Sequence, residues 1–242
     1  MSESIVVIPT YNECENIPHI IKAVLNLPDG FNVLIVDDNS PDGTADVVRV
    51  IAEQFPKRVY LEVRAEKSGL GTAYLHGFRW ALDRNYKYIF EMDADFSHDP
   101  ADLPRLLEPI KEDRADLTIG SRYIKGVNVV NWPMSRVILS YFASKYVRFI
   151  LRLPVMDTTA GFKCYRREVL ERIDFDKIKF VGYAFQIEMK FTAWKMGFRI
   201  EEVPVIFTDR TVGESKMSHG IIKEAVFGVL LLRWKSFFRK YK

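Results

Sequence analysis

"SIVVIPTYNECENIPHIIKAVLNLPDGFNVLIVDDNSPDGT", residues 4–44, decides the fold class. It opens on a short apolar run rich in β-branched residues, 4–10, which reads as a buried strand ending at Pro9. Ile17, Ile20, Ile21, Val24 and Leu25 then recur at helical spacing. "NVLIVDD", 32–38, is a second strand-like run, and it ends in two acids. Strand, helix and strand joined by short connections imply a crossover between parallel neighbours.

The alternation continues outward from this unit. "PDGTADVVRVIAEQF" reads as a helix, "RVYLEV" as a strand and "GTAYLHGFRWALDR" as a helix. "YKYIFEMDAD" is a fourth strand, "PADLPRLLEPIKE" a helix and "ADLTIGSR" a fifth strand. The expected fold class is therefore α/β, a mostly parallel sheet flanked by helices on both faces. With 242 residues, one large domain is favoured. It divides into a first half, 1–124, a second half, 125–218, and a basic amphipathic C-terminal helix, 219–242. The second half, with long amphipathic "MSRVILSYFASKYVRFILRL", reads as an extension of the first half's edge.

Composition excludes several classes. A net charge of +3 is too mild to argue for nucleic acid. Cys14 and Cys164 are the only cysteines, so neither a disulfide framework nor a zinc motif is expected, and a reducing compartment is the simpler choice. The N-terminus lacks the pattern of a signal peptide, and no apolar stretch approaches the ~18 residues of a membrane span. A cytoplasmic location is expected. The tail "RWKSFFRKYK" interleaves five basic residues with aromatics, which suits either a frayed solvated end or an anionic membrane surface.

In open parallel sheets, ligands bind beyond the carboxyl ends of strands. Four such ends carry polar groups here: "PTYNE" with Tyr11 and Glu13, "VDDNSPDGT" with Asp37 and Asp38, "MDADFSHD" with Asp93 and Asp95, and "GSRY" with Arg122. Taken singly, Asp37 and Asp38 suit helix capping as well as binding. Asp93 and Asp95, one residue apart in extended chain, face the same side and repel each other. A hard divalent cation, Mg²⁺ or Mn²⁺, completed by substrate phosphate oxygens removes that repulsion.

"VVIPTYNE", "IVDDNSPDGT", "KSGLGTAYLHGF", "MDADFSHDP", "GSRYIKG", "DTTAGFKCYRREVL", "GYAFQIEM" and "VPVIFTDRTVGESK" occur in an order that resembles family 2 glycosyltransferases. The likeness covers residues 4–218, and "GLGTAY" with "DRTVGESK" narrows it to the dolichol-phosphate (polyprenol-phosphate) mannosyltransferases. The resemblance implies a GT-A-type fold with amphipathic interfacial helices. It implies transfer of mannose from GDP-mannose to dolichyl or polyprenyl phosphate with inversion, giving a β-linked product and GDP. Pro9, Tyr11, Glu13, Val36 and Asp38 resemble the guanosine contacts, and Asp93, Ala94 and Asp95 those of the diphosphate and metal. Asp95 stands as main metal ligand and Asp93 as a shared one. Ser97 stands where some relatives carry a metal-binding Gln, a departure that weakens its claim. Arg210 and Lys216 resemble residues that close over the donor diphosphate. Arg122 and Arg136 resemble the acceptor-phosphate pair, with Ser140 one helical turn beyond Arg136.

A lipid phosphate is already anionic at neutral pH, so the attacking oxygen needs no general base. His76 and His98, adjacent to motifs, are expected either to be structural or to support the residues that contact the ligands. Catalysis is expected to rest on Asp95, Arg122 and Arg136 and on excess positive charge. The acceptor's tail implies peripheral association with the cytoplasmic face of a membrane. The helix at 134–153 suits core packing and membrane contact equally, and the terminal helix suits the membrane better. The chain resembles the shorter type of member, which binds peripherally or through small anchoring subunits. Two alternatives stand beside this: a glucosyltransferase using UDP-glucose, and a nucleotide-sugar-binding module without turnover. A dinucleotide oxidoreductase is disfavoured, since "PTYNE" replaces any GxGxxG after the first strand.

Overall fold

The computed structural model describes residues 2–209, 219–238 and 241. The chain runs β1 (Ser4–Thr10), α1 (Ile17–Leu25), β2 (Asn32–Asp37), α2 (Thr44–Gln54), β3 (Val59–Val63), α3 (Leu70–Asp83) and β4 (Tyr88–Glu91). A short 3₁₀ turn, Pro100–Asp102, leads into α4 (Leu103–Lys111) and β5 (Leu117–Ser121). Then come β6 (Val129–Val130), α5 (Met134–Leu151), β7 (Lys163–Arg166), α6 (Arg167–Arg172), α7 (Tyr183–Lys195), β8 (Ile200–Pro204), β9 (Phe207–Thr208) and α8 (His219–Lys235).

Seven strands form one sheet in the order β3-β2-β1-β4-β7-β5-β8. All pairings are parallel except those of β7, which runs antiparallel between β4 and β5. This corrects one expectation. The second half does not merely extend an edge: its strand β7 is inserted into the middle of the sheet, and only β8 is added outside β5. Lys163, Cys164 and Tyr165 are fully buried there, so the insertion is a core element.

β1 shows why the strands are apolar on consecutive positions. Ile5 and Val7 enter one core with α3 and α7, while Val6 and Ile8 enter the other with α1 and α4. Each such side chain contributes roughly 1.5–3 kcal/mol on burial. Helix α3 lies unusually close to the sheet at Gly77. A Cβ there would stand 2.4 Å from Val7 Cγ1.

The topology sends the carboxyl ends of β1, β2, β4 and β5 to the same edge of the sheet. A second, two-stranded sheet, β6 with β9, sits beside that edge and carries the chain from Arg122 toward α5.

Candidate active site

The chain leaving β4 turns sharply to present its two acids. Phe96 adopts a left-handed backbone (φ 58°), a conformation that costs a bulky residue on the order of 1–3 kcal/mol. The turn is held by the Ser97 main-chain N–H, which donates to Asp95 Oδ1 at 3.1 Å. The Asp93 main-chain N–H donates to His98 Nδ1 at 3.1 Å, and Tyr74 donates its hydroxyl to Asp93 Oδ1 at 3.1 Å. His98 is itself fixed by stacking on Phe162, with ring centroids 4.8 Å apart. Sequence spacing therefore delivers both carboxylates, and His98 and Tyr74 aim the first of them.

A cavity of about 370 Å³ opens beside this turn. Asp93, Asp95, Ser97, Arg122, Arg136 and Ser140 all line it. Its remaining wall includes Trp132, Thr159, Gln186, Phe207 and Asp209, and an apolar stretch of α5 from Leu139 to Val147. The sequence-predicted acceptor set and the metal set thus share one space. The predicted guanosine set does not line it. Asp38 is buried and engaged by Arg64 at 2.6 Å, and Arg64 reaches on to Thr72 at 2.8 Å. Lys67 sits 3.9 Å above the Tyr11 ring. The Glu13 main-chain N–H donates to Thr44 Oγ1 at 3.0 Å, tying β1's end to α2. The Val36 side chain is fully buried under α3. Ala94 is buried and Pro9 partly so. Asp37, which capping also suited, accepts from Thr10 Oγ1 at 2.8 Å and from the Ser40 N–H at 2.9 Å; it is a buried brace. Arg210 and Lys216 lie outside the described residues.

Charge in the cavity is distributed unevenly. Enclosure, opposed by His98 and reinforced by the neighbouring Asp95, raises the Asp93 carboxyl above its ordinary value. Among the described residues no third His, Cys, Asp or Glu joins these two acids in a metal cluster. Two neighbouring carboxylates that repel each other offer hard oxygen donors that fit a hard divalent cation whose other ligands come from phosphate and water. On the opposite side, Arg122 is nearly buried. Its Nε and Nη2 each meet an Asp157 oxygen at 2.6 Å, and Nη2 also donates to Thr159 Oγ1 at 2.8 Å. Burial would raise the Asp157 carboxyl, but the charge and hydrogen bonds of Arg122 outweigh it and hold it below the usual range. Arg136 lies 4.0 Å from the Trp132 ring centroid, and its Nη1 touches both oxygens of Asp209 at 2.8 Å.

Several of these residues escaped the sequence reading. Asp157 and Gln186 stand inside quoted motifs, yet carry no spacing that assigns them to a partner. Asp157 is 35 residues from Arg122, and Glu202 orients it by accepting from its N–H at 2.9 Å. Gln186 Nε2 donates to Glu91 Oε2 at 2.9 Å, and Lys163 contacts both Glu91 and Gln186. A fully buried charged network thus lies directly beneath the cavity.

The family model described as "Glycosyl transferase family 2" matches residues 5–174. The chain belongs to glycosyltransferase family 2. Among curated members, the chain is 48% identical over 226 residues to a polyprenol monophosphomannose synthase of Mycolicibacterium smegmatis, covering 93% of this chain and 85% of that protein. It is 47% identical over 233 residues to an undecaprenyl-phosphate mannosyltransferase of Micrococcus luteus, covering 95% of each. Among solved structures, it resembles the mannosyltransferase PcManGT of Pyrobaculum calidifontis in complex with GDP-Man and Mn2+, with a TM-score of 0.64 and 20% identity. That match covers 99% of this chain and 65% of the other. Glucosyl-3-phosphoglycerate synthase of Mycobacterium tuberculosis, solved with Mn2+ and UDP, gives a TM-score of 0.64 at 19% identity, covering 95% and 79%. At these identities the two structures speak to the fold, and they bear out the expected mostly parallel sheet with flanking helices.

Proposed function

We propose that this family 2 glycosyltransferase transfers mannose from GDP-mannose to a polyprenyl phosphate, with inversion at the sugar. The single observation that carries the proposal is the pairing within one cavity of two cation-seeking carboxylates, Asp93 and Asp95, with two arginines, Arg122 and Arg136. The first pair suits a metal-bound diphosphate, and the second suits a separate phosphate. The nearly 50% identity to proteins named for polyprenyl-phosphate mannose transfer supports the same substrates.

The chain's residues hold two anions together. Asp95, assisted by Asp93, would hold Mg²⁺ or Mn²⁺, which when bound neutralises charge on the departing diphosphate. Tyr74 and His98 keep Asp93 aimed at that place. Arg122, locked by Asp157, and Arg136, on the first turn of α5, grip the acceptor phosphate, with the Ser140 hydroxyl beside them. An acceptor oxygen that is already anionic attacks the sugar without a base. Alignment of the two substrates contributes on the order of 7–11 kcal/mol.

The acceptor's hydrocarbon tail implies a membrane-adjacent cavity. Helices α5 and α8 pack on each other, and exposed apolar residues stand on them and on the turn after α8: Phe142, Phe149, Trp234, Phe237 and Phe238. Lys145, Arg148, Arg233 and Lys235 accompany them. That composition suits peripheral contact with the cytoplasmic face of a membrane. Among the described residues no helix is long and apolar enough to cross one. Nucleotide choice is tested by thermal shift with GDP or UDP, each with Mn²⁺. A larger stabilisation by GDP is expected, and a larger one by UDP would favour a UDP-sugar donor instead.

A further inference from the structure

We propose that Asp209 is a specificity-determining residue of the acceptor seat: its carboxylate reserves Arg136 for a terminal, doubly charged phosphate and against singly charged lipids. This rests on the reading of Arg136 as an acceptor-phosphate cation.

The two arginine–carboxylate pairs of the cavity are built differently. Asp157 is fully buried and takes the main-chain N–H, Nε and Nη2 of Arg122, all on one carboxylate. Removing it would strand a buried charge, so this pair is permanent scaffolding. The Asp209 side chain is a quarter exposed, and Arg136 meets it through Nη1 alone. The other guanidinium N–H groups of Arg136 find no acceptor among the described residues; the Trp132 ring lies beneath them. Beside them the Trp132 Nε1–H is enclosed and also lacks an acceptor among the described residues. An enclosed donor without an acceptor is uncommon, and it marks a place that lacks an acceptor group.

Asp209 is held in position by its own main chain, whose N–H donates to Val130 O at 3.0 Å where β9 ends. A tethered carboxylate competes with any incoming anion at high effective concentration. A singly charged phosphodiester or fatty acid would exchange like for like and gain little. A phosphate monoester carries about −1.5 to −2 at neutral pH and offers three oxygens, so it engages the guanidinium fork in two places. The exchange therefore selects the terminal phosphate in a membrane rich in phosphodiesters, by disfavouring the wrong occupant.

The test is steady-state transfer to a short-chain prenyl phosphate in neutral detergent micelles, with and without added phosphatidylglycerol. With Asp209→Asn, the acceptor KM is expected to fall roughly fivefold, with the donor KM unchanged. Phosphatidylglycerol should compete with the acceptor in this variant and have little effect on wild type. Asp209→Glu, which restores the charge, should restore the discrimination. An acceptor KM that rises or stays constant in Asp209→Asn, or equal inhibition of both proteins, overturns the proposal. Arg136→Ala separates the two ideas. If it leaves the acceptor KM unchanged, Arg136 is not the phosphate's seat. If it raises that KM while Asp209→Asn changes nothing, Arg136 stands and the selectivity role of Asp209 falls. GDP-induced stabilisation, measured for every variant, reports whether each remains folded.

Discussion

Arg122 and Asp157 meet through two nitrogen–oxygen contacts of 2.6 Å, and the Arg122 main-chain N–H adds a third at 3.0 Å to the same carboxylate. Side chain and backbone of one residue are thus locked by one acid that lies wholly inside the protein. Asp157→Ala should cost about 3–5 kcal/mol of stability, because Arg122 would remain buried without this countercharge. The denaturation midpoint measures this; a loss within 0.5 kcal/mol, on the order of a surface change, would mean that the pair is not a structural lock.

The carboxylates after β4 make a different prediction. Asp95→Ala removes the proposed metal ligand from a partly exposed position, where Asp95 Oδ1 accepts the Ser97 N–H within the turn. Transfer should be abolished, Mn²⁺-dependent stabilisation by GDP should vanish, and the melting temperature without ligand should hold. Retention of full rate would remove the metal from the mechanism.

Beneath the cavity, Lys163 sits 2.9 Å from Glu91, both fully buried, while Tyr165 donates to Glu91 at 2.7 Å. Burial holds the Lys163 amine below its ordinary pKa, with Glu91 opposing. Lys163→Met should destabilise by about 3 kcal/mol or more, because Glu91 is left as an uncompensated charge. Combining it with Glu91→Gln should recover part of that loss. Strict additivity in the double-mutant cycle would show that the two are not coupled.

Close packing of α3 on β1 makes Gly77 a sensitive position. Gly77→Ala places its Cβ 2.4 Å from Val7 Cγ1 and should cost about 1–3 kcal/mol through overpacking. Helix propensity alone would give a gain of up to about 1 kcal/mol in the opposite direction, so the sign of the measured change decides between them.

Asp42 sets an acid limit on the loop after β2. Burial would raise its carboxyl, but hydrogen bonds from Thr44 and from the Cys14 main chain bring it down to about 2. A depressed folded-state value contributes stability that is complete above the unfolded value of about 4 and is lost as pH falls through the folded one. The stability gap between wild type and Asp42→Ala should therefore narrow between about pH 4 and pH 2. A gap independent of pH across that range contradicts the assignment.

Much of this architecture was legible because it rests on local periodicity. The strands β1, β2 and β4 announce themselves as apolar runs, and the acids at their ends follow from where parallel strands deliver side chains. The insertion of β7 was not legible. "KCYR" is a short run whose partners, β4 and β5, are set by tertiary packing. Asp93, Asp95, Arg122, Arg136 and Ser140 converge on one cavity, as their motifs imply. Asp157 and Asp209 stand inside quoted motifs and Trp132 outside them, yet nothing in the sequence pairs any of the three with its arginine, because pairing across a cavity leaves no period along the chain. Beside them, Asp38 is paired with Arg64 and Val36 is enclosed under α3, contacts that no spacing along the chain announces.

The central claim is that the cavity brings a sugar-bearing diphosphate and a lipid phosphate together and joins them. Incubating the chain with labelled GDP-mannose, Mn²⁺ and a polyprenyl phosphate tests it most directly. The account predicts a β-linked mannosyl lipid phosphate that fails to form with Asp95→Ala or Arg122→Ala. Tight GDP binding with no labelled lipid from the wild-type protein would contradict it.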